Sequence, residues 1–170
     1  MDPALDQKLI AAAYANDVET ARQLIEAGAD VNAKDDSLQS AYLIATSEVD
    51  DDPRLLELTL TNGADVTSLD SYEGTGLVRA ADRGHVKIVE RLLETGIDID
   101  HVNRLGWTAL LEAIILGGGD TRHTNVVRLL VDAGADVNLA DGEGVTPLAH
   151  ARRLGFDEIA AMLESAGASE

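Results

Sequence analysis

The chain of 170 residues contains no cysteine. That excludes a disulfide framework, a thiol nucleophile and any cysteine-based zinc or iron–sulfur site. Aromatics are nearly as scarce, with one Trp, three Tyr and one Phe. A core must therefore be assembled from Ala, Leu, Ile and Val, which suits closely packed helices. Only three lysines occur, Lys8, Lys34 and Lys87, far apart, and 13 Lys plus Arg against 31 Asp plus Glu leave a net charge of −18. Nucleic acid and anionic membrane surfaces are disfavoured as partners, because both are bound through clustered basic side chains. No stretch approaches the roughly 18 apolar residues of a membrane-spanning helix. The start, Met1-Asp2-Pro3, shows no secretory signal. A cytoplasmic location is the expectation, although an exported chain trimmed of its leader would look identical. The length fits one domain.

What the chain does have is a repeat. Five segments end alike: Leu24-Ile25-Glu26-Ala27-Gly28-Ala29-Asp30, Thr59-Leu60-Thr61-Asn62-Gly63-Ala64-Asp65, Leu92-Leu93-Glu94-Thr95-Gly96-Ile97-Asp98, Leu130-Val131-Asp132-Ala133-Gly134-Ala135-Asp136 and Leu163-Glu164-Ser165-Ala166-Gly167-Ala168. The glycines lie 35, 33, 38 and 33 residues apart, and twelve residues beyond each of the first four stands a hydroxyl: Ser40, Thr75, Thr108, Thr146. Each glycine falls where an apolar-periodic segment stops, as suits a residue that closes a helix in the left-handed conformation. The stretch after it, such as 136–144, is rich in Asp, Asn and Gly and predicts a turn or short hairpin. The hydroxyl then caps a first helix, most plainly in Thr146-Pro147-Leu148, where Pro takes the first helical position. First helices are short and alanine-rich, as in Leu77-Val78-Arg79-Ala80-Ala81. They break near Gly84, Gly117 or Gly155, with Asn16 at the matching place in the first unit. Second helices carry apolar residues at helical spacing, for example Val86, Val89, Leu92 and Leu93.

This joint spacing resembles the ankyrin repeat, a unit of about 33 residues with a T-P-L-H-x-A core. Thr146-Pro147-Leu148-Ala149-His150-Ala151, Gly84-His85 and Gly134-Ala135-Asp136-Val137-Asn138 match it best. The resemblance spans the chain. It implies an all-α ankyrin-repeat solenoid of five stacked helix-turn-helix units with short hairpin connections and capping terminal repeats, divided near 1–35, 36–70, 71–103, 104–141 and 142–170. Such a chain is stabilised between neighbours, since one helix pair cannot bury its apolar face alone. Departures from the pattern carry expectations of their own. Leu43, Val78, Leu111 and Ala149 stand where the family has its histidine, so the usual side-chain network is not expected. Leu38 and Glu73 replace the hairpin glycine, which predicts two irregular turns. Two insertions, of two residues around 48–51 and five around 117–122, fall between helices. The second unit is expected to be the weakest, with Tyr42 at the Leu148 position and Thr59 at the Leu92 position.

Candidate chemistry is thin. His85 and His123 share one register position, where a structural role explains both, and His101 and His150 lie apart from them on a hairpin and a first helix. Asp50-Asp51-Asp52 lacks the alternating ligands, central glycine and terminal glutamate of a calcium loop. Asp52 is instead expected to cap a helix beginning at Pro53. Gly117-Gly118-Gly119-Asp120 has no preceding strand and no Gly-Lys-Ser/Thr ending, so it predicts a flexible insertion rather than a phosphate cradle. Arg122 and His123 beside it are the candidates for an anion contact. Neither a cofactor nor a metal is expected.

What the resemblance implies is a non-catalytic protein-binding module that uses hairpin tips and the concave face of the first helices. On that register the tip positions are Asp36, Ser37 and Gln39; Ser71, Tyr72 and Gly74; Arg104, Leu105 and Trp107; and Gly142, Glu143 and Val145. Helix-end positions are Ser47 and Glu48, Asp82 and Arg83, Ile115 and Leu116, and Arg153 and Leu154. Tyr72, Arg104 and Trp107 stand out, because Trp, Tyr and Arg dominate interface hot spots. The alternative for Trp107 is packing on neighbouring hairpins, and Ile115 and Leu116 fit a core equally well. The acidic surface fits either solubility as a monomer or steering of a basic partner. Two other readings remain: a regulatory or inhibitory subunit stably paired with an enzyme, and a small anion- or metal-dependent enzyme using the loop near His123. The excess of Arg over Lys, with abundant Ala, Gly and Asp, suggests a bacterial coding sequence, and the irregular units argue against a consensus design.

Overall fold

A computed structural model of the chain describes residues 2–169, so the outer limits of the first and last expected units, 1 and 170, lie outside it. Over the described residues ten helices follow one another: α1 Pro3–Tyr14, α2 Val18–Glu26, α3 Ala41–Ser47, α4 Arg54–Thr61, α5 Gly76–Asp82, α6 Val86–Leu93, α7 Ala109–Leu116, α8 Thr121–Asp132, α9 Pro147–Leu154 and α10 Asp157–Ser165. Among the described residues there is no strand. Each odd-numbered helix packs on the even-numbered one that follows it. The odd-numbered helices also form a row from α1 to α9, and the even-numbered ones a second row in which α4 and α6 approach least closely. One apolar core runs through all five pairs, from Leu9 to Leu163.

The hydroxyls act as expected. Ser40, Thr75, Thr108 and Thr146 each accept the backbone N–H three residues on and so start α3, α5, α7 and α9. Gly28, Gly63, Gly96, Gly134 and Gly167 all have positive φ, and a Cβ would meet nothing at any of them, so conformation rather than space selects glycine there. Asn16 is left-handed at φ 50°, like Gly84 and Gly155. Gly117 departs from that register: it ends α7 in the right-handed region, and Gly118 and Gly119 carry the positive φ. The helix expected to begin at Pro53 begins one residue later, although the Asp52 carboxylate does accept the Arg54 N–H at 3.1 Å.

Both insertions tie neighbouring pairs together. Helix α6 has no capping side chain of its own, and the Asp51 carboxylate from the preceding pair supplies one, accepting the Lys87 and Ile88 N–H groups at 2.9 and 3.1 Å. In the glycine insertion, Phe156 lies so close over Gly119 that a Cβ there would come within 2.6 Å of the ring. Tyr42 is fully buried and its hydroxyl has no partner among the described residues. Gly76 makes room for it, since a Cβ at that position would sit 2.6 Å from the hydroxyl oxygen.

Candidate functional site

The four hairpins are closed in the same way. Asp35, Asp70, Asn103 and Asp141 each donate their backbone N–H to the carbonyl four residues on, at 2.9–3.0 Å. Their side-chain oxygens each accept two N–H groups of the tip, at 2.8–3.1 Å. The expected irregularity at Leu38 and Glu73 is therefore overturned. Both residues adopt the left-handed conformation, at φ 61° and 59°, where Gly106 and Gly144 serve the other two turns. The Asx hydrogen bonds hold the turn whether or not glycine is present.

A side-chain link from first helix to hairpin also exists despite the missing histidines, made one position later. Arg79 Nη1 donates to Asp70 Oδ2 at 2.8 Å, Asn103 Nδ2 donates to Glu112 Oε1 at 2.7 Å, and His150 Nε2 lies 2.8 Å from Asp141 Oδ2. The same step of the helix presents all three, because residues four beyond the cap return to the hairpin side. Arg79 also reaches back to the preceding unit, donating to Gln39, Ser47 and Glu48. Both terminal nitrogens of its guanidinium are thus committed inside the protein, while the buried Nε has no partner among the described residues.

Between the hairpins and α5 and α7 lies a recess of about 180 Å³, lined by Asp70, Tyr72, Gly74, Val78, Arg79, Asp82, Asn103, Leu105, Glu112 and Leu116. Its rim is apolar: Tyr72, Leu105 and Leu116 are all more than half exposed. Its floor is polar. Glu112 is only 5 % exposed, and burial, opposed by the Asn103 hydrogen bond and reinforced by Asp82 and Asp70, pushes its pKa up to about 7. Arg104 stacks over the Tyr72 ring at 5.4 Å from its centre and donates its backbone N–H to the Tyr72 carbonyl at 2.9 Å, fixing one tip against the next.

The residues singled out in the sequence distribute unevenly around this recess. Tyr72 and Leu105 line it, and Arg104 and Tyr72 touch each other. Trp107 is half-buried with its N–H tied to Asn103 Oδ1, and Val145 and Gln39 are half-buried at the equivalent positions. Asp36, Ser37 and Ser71 are exposed on tips, and Arg83 and Arg153 are exposed at helix ends. Glu143 is an exposed tip residue of the last hairpin, outside the recess. Sequence reasoning missed Asp70, Arg79, Asn103 and Glu112. The available signal was an Asp or Asn five residues before every capping hydroxyl, and a lone carboxylate inside the apolar run Ala109-Leu110-Leu111-Glu112-Ala113-Ile114.

The histidine register is occupied by bonds between units. His85 Nδ1 lies 3.2 Å from the Thr46 carbonyl oxygen, and His123 Nε2 lies 2.8 Å from that of Asp82. His123 Nδ1 faces Asp120 at 2.9 Å, and Arg122 Nε donates to the Gly84 carbonyl at 3.2 Å. The two side chains considered for an anion contact are thus both engaged within the protein. Among the described residues, no three His, Asp or Glu side chains converge as metal ligands would, and no helix is long and apolar enough to cross a membrane.

Two rows of helices, joined by hairpins of one repeated geometry that stand beside a partly apolar recess, define a helical repeat stack. Comparison with known proteins places it. The model for three copies of the ankyrin repeat matches residues 43–141, and that for a single ankyrin repeat matches residues 9–36. The ankyrin repeat protein YahD of Escherichia coli (strain K12) is 42% identical over 146 residues, 85% of this chain and 72% of its own length. Among solved structures, an ankyrin repeat domain from Acinetobacter baumannii AYE superposes with a TM-score of 0.89 at 50% identity, covering 95% of this chain and 81% of that one. The ankyrin repeat protein EF0377 superposes with a TM-score of 0.84 at 36% identity, covering 92% and 78%. The chain belongs to the ankyrin repeat family. Ankyrin repeats mediate protein–protein interaction and form a non-catalytic fold, and a bacterial source is in keeping with these relatives.

Proposed function

We propose that this chain is a monomeric, non-catalytic binding module that holds a protein partner against its hairpin tips and the concave face of its first helices. The supporting observation is the cluster at the second and third hairpins. Tyr72, Leu105 and Leu116, at 55%, 52% and 51% exposure, leave three large apolar side chains uncovered around one recess. Exposed apolar groups gathered in this way, with Arg104 stacked on Tyr72, have the composition of an interface anchor. The net charge of −18 opposes self-association and favours encounter with a basic partner.

Affinity isolation from the source cells tests this. The tagged chain is compared with a variant carrying Tyr72→Ala and Arg104→Ala, and with Trp107→Ala alone. Loss of the captured partner by at least tenfold in the double variant is the expected result. Capture of the same partners at the same strength by all three proteins overturns the reading.

A further inference from the structure

We infer that the recess between the second and third hairpins is a socket for a lysine or arginine side chain of the partner, flanked by an apolar residue of the same segment. This deepens the proposed function and rests on it.

The charges decide the occupant. Arg79, the cation lining the recess, is paired with Asp70 and gives both terminal nitrogens to Asp70, Gln39, Ser47 and Glu48, while its buried Nε has no partner among the described residues. Two carboxylates remain. Asp82 is held only by a loose contact to Arg83 at 3.8 Å. Glu112, 95% buried by its 5% exposure, accepts a hydrogen bond from Asn103 on Oε1 and has no partner on Oε2 among the described residues. A largely buried carboxylate whose charged neighbours are Asp82 and Asp70 is disfavoured in the free protein by desolvation and by like charge. An ammonium or guanidinium group entering there pairs with it and with Asp82, while its aliphatic stem lies along Val78 and Leu116. The exposed rings and methyls of Tyr72 and Leu105 provide the surface for the flanking apolar residue.

Because Glu112 is pushed up to about 7, cation binding is linked to loss of its proton and strengthens as pH rises through neutrality. The groups on the neighbouring elements are Asp70, Arg79 and Asp82 from the α5 side. From α9 comes His150, held by Asp141, and from α8 His123, held by Asp120 and the Asp82 carbonyl.

The test is a phage-displayed library of random twelve-residue peptides selected at pH 7.5 on the full chain. Enriched peptides are expected to carry Lys or Arg beside Leu, Ile, Phe or Tyr. Synthetic copies are expected to bind a variant with Asp82→Asn and Glu112→Gln at least tenfold more weakly. Binding to the unsubstituted protein should weaken several-fold between pH 8 and pH 6, and Glu112→Gln alone should abolish that pH dependence. Thermal melts of each variant confirm folding. Enrichment of acidic or neutral peptides, failure to enrich any peptide, or equal binding to the double variant overturns the inference. If a partner isolated from cells still depends on Tyr72 and Arg104 in that event, the binding-face reading stands and only the socket falls.

Discussion

Glu112 sits in a helix that is otherwise apolar, and burial there disfavours its charged form. The folded chain keeps the Glu112 proton up to about pH 7, whereas an ordinary glutamate releases it near 4.5. Between those values the folded state binds more protons than the unfolded one, so stability falls as pH rises, by up to about 3 kcal/mol once pH exceeds 7. Glu112→Gln keeps an acceptor for Asn103 and removes the buried charge. Chemical denaturation at pH 8 should show the variant more stable by about 1–3 kcal/mol, with the difference gone at pH 4. A variant no more stable at pH 8 would mean that the carboxylate is well solvated. His85 works in the other direction: burial lowers its pKa, so its contribution is lost as pH falls below the ordinary value of 6.5. Two further residues carry strain in the backbone. Leu38→Gly and Glu73→Gly should each raise stability by roughly 0.5–1 kcal/mol, the relief of the left-handed conformation exceeding the added unfolded-state entropy of glycine. Equal or lower melting temperatures would contradict that.

At the scale of elements, capping and packing cross from one unit to the next. Asp51 lies 36 residues from Lys87, yet it caps α6. Asp51→Ala should cost about 1 kcal/mol and raise hydrogen exchange first at the start of α6, whereas Asp50→Ala should leave α6 exchange unchanged. Tyr42 and Gly76 form another such pair. Tyr42→Phe removes a hydroxyl buried without a partner and should be neutral or stabilising by about 1 kcal/mol in thermal melts, while a loss above 1 kcal/mol would show that the hydroxyl is satisfied. These couplings explain which elements were legible beforehand. Helix starts and stops were readable because Thr146-Pro147 and the five closing glycines act locally, through one cap or one backbone conformation. The role of Asp51 was not, because its sequence neighbours read as a solvated acidic loop and only the stack brings α6 beneath it. Tyr42 looked like a defect, since the compensating glycine stands 34 residues later. The recess was half legible: Tyr72 and Leu105 announce themselves as exposed tip residues. Arg79 and Glu112 acquire their roles only through hairpin partners nine residues back in the chain.

For the whole molecule, the proposed function draws stability and recognition from different faces of one stack. Second helices and the buried sides of the first helices supply the continuous core. Bonds such as Asn32 to Gly63, Asp136 to Asp100 and Asn138 to Gly167 lace successive units along the edge. That ladder misses a rung at Thr67, which among the described residues bonds only within its own turn to Asp65, and α4 and α6 part most at the same interface. A nearest-neighbour stack should open first at its weakest interface. Native-state hydrogen exchange should therefore show the α3–α4 pair uncoupling from α5–α6 at lower free energy than α5–α6 from α7–α8. Uniform protection along the stack would contradict that ordering.

On the proposed function, the side bearing the hairpins and first helices, and not the outer row of second helices, receives the partner. Hydrogen–deuterium exchange of the chain alone and saturated with its isolated partner tests it most directly. New protection is expected at the tips around 71–74 and 104–107 and along α5 and α7, with α4, α6 and α8 unchanged. Protection confined to α4, α6 and α8 would contradict it.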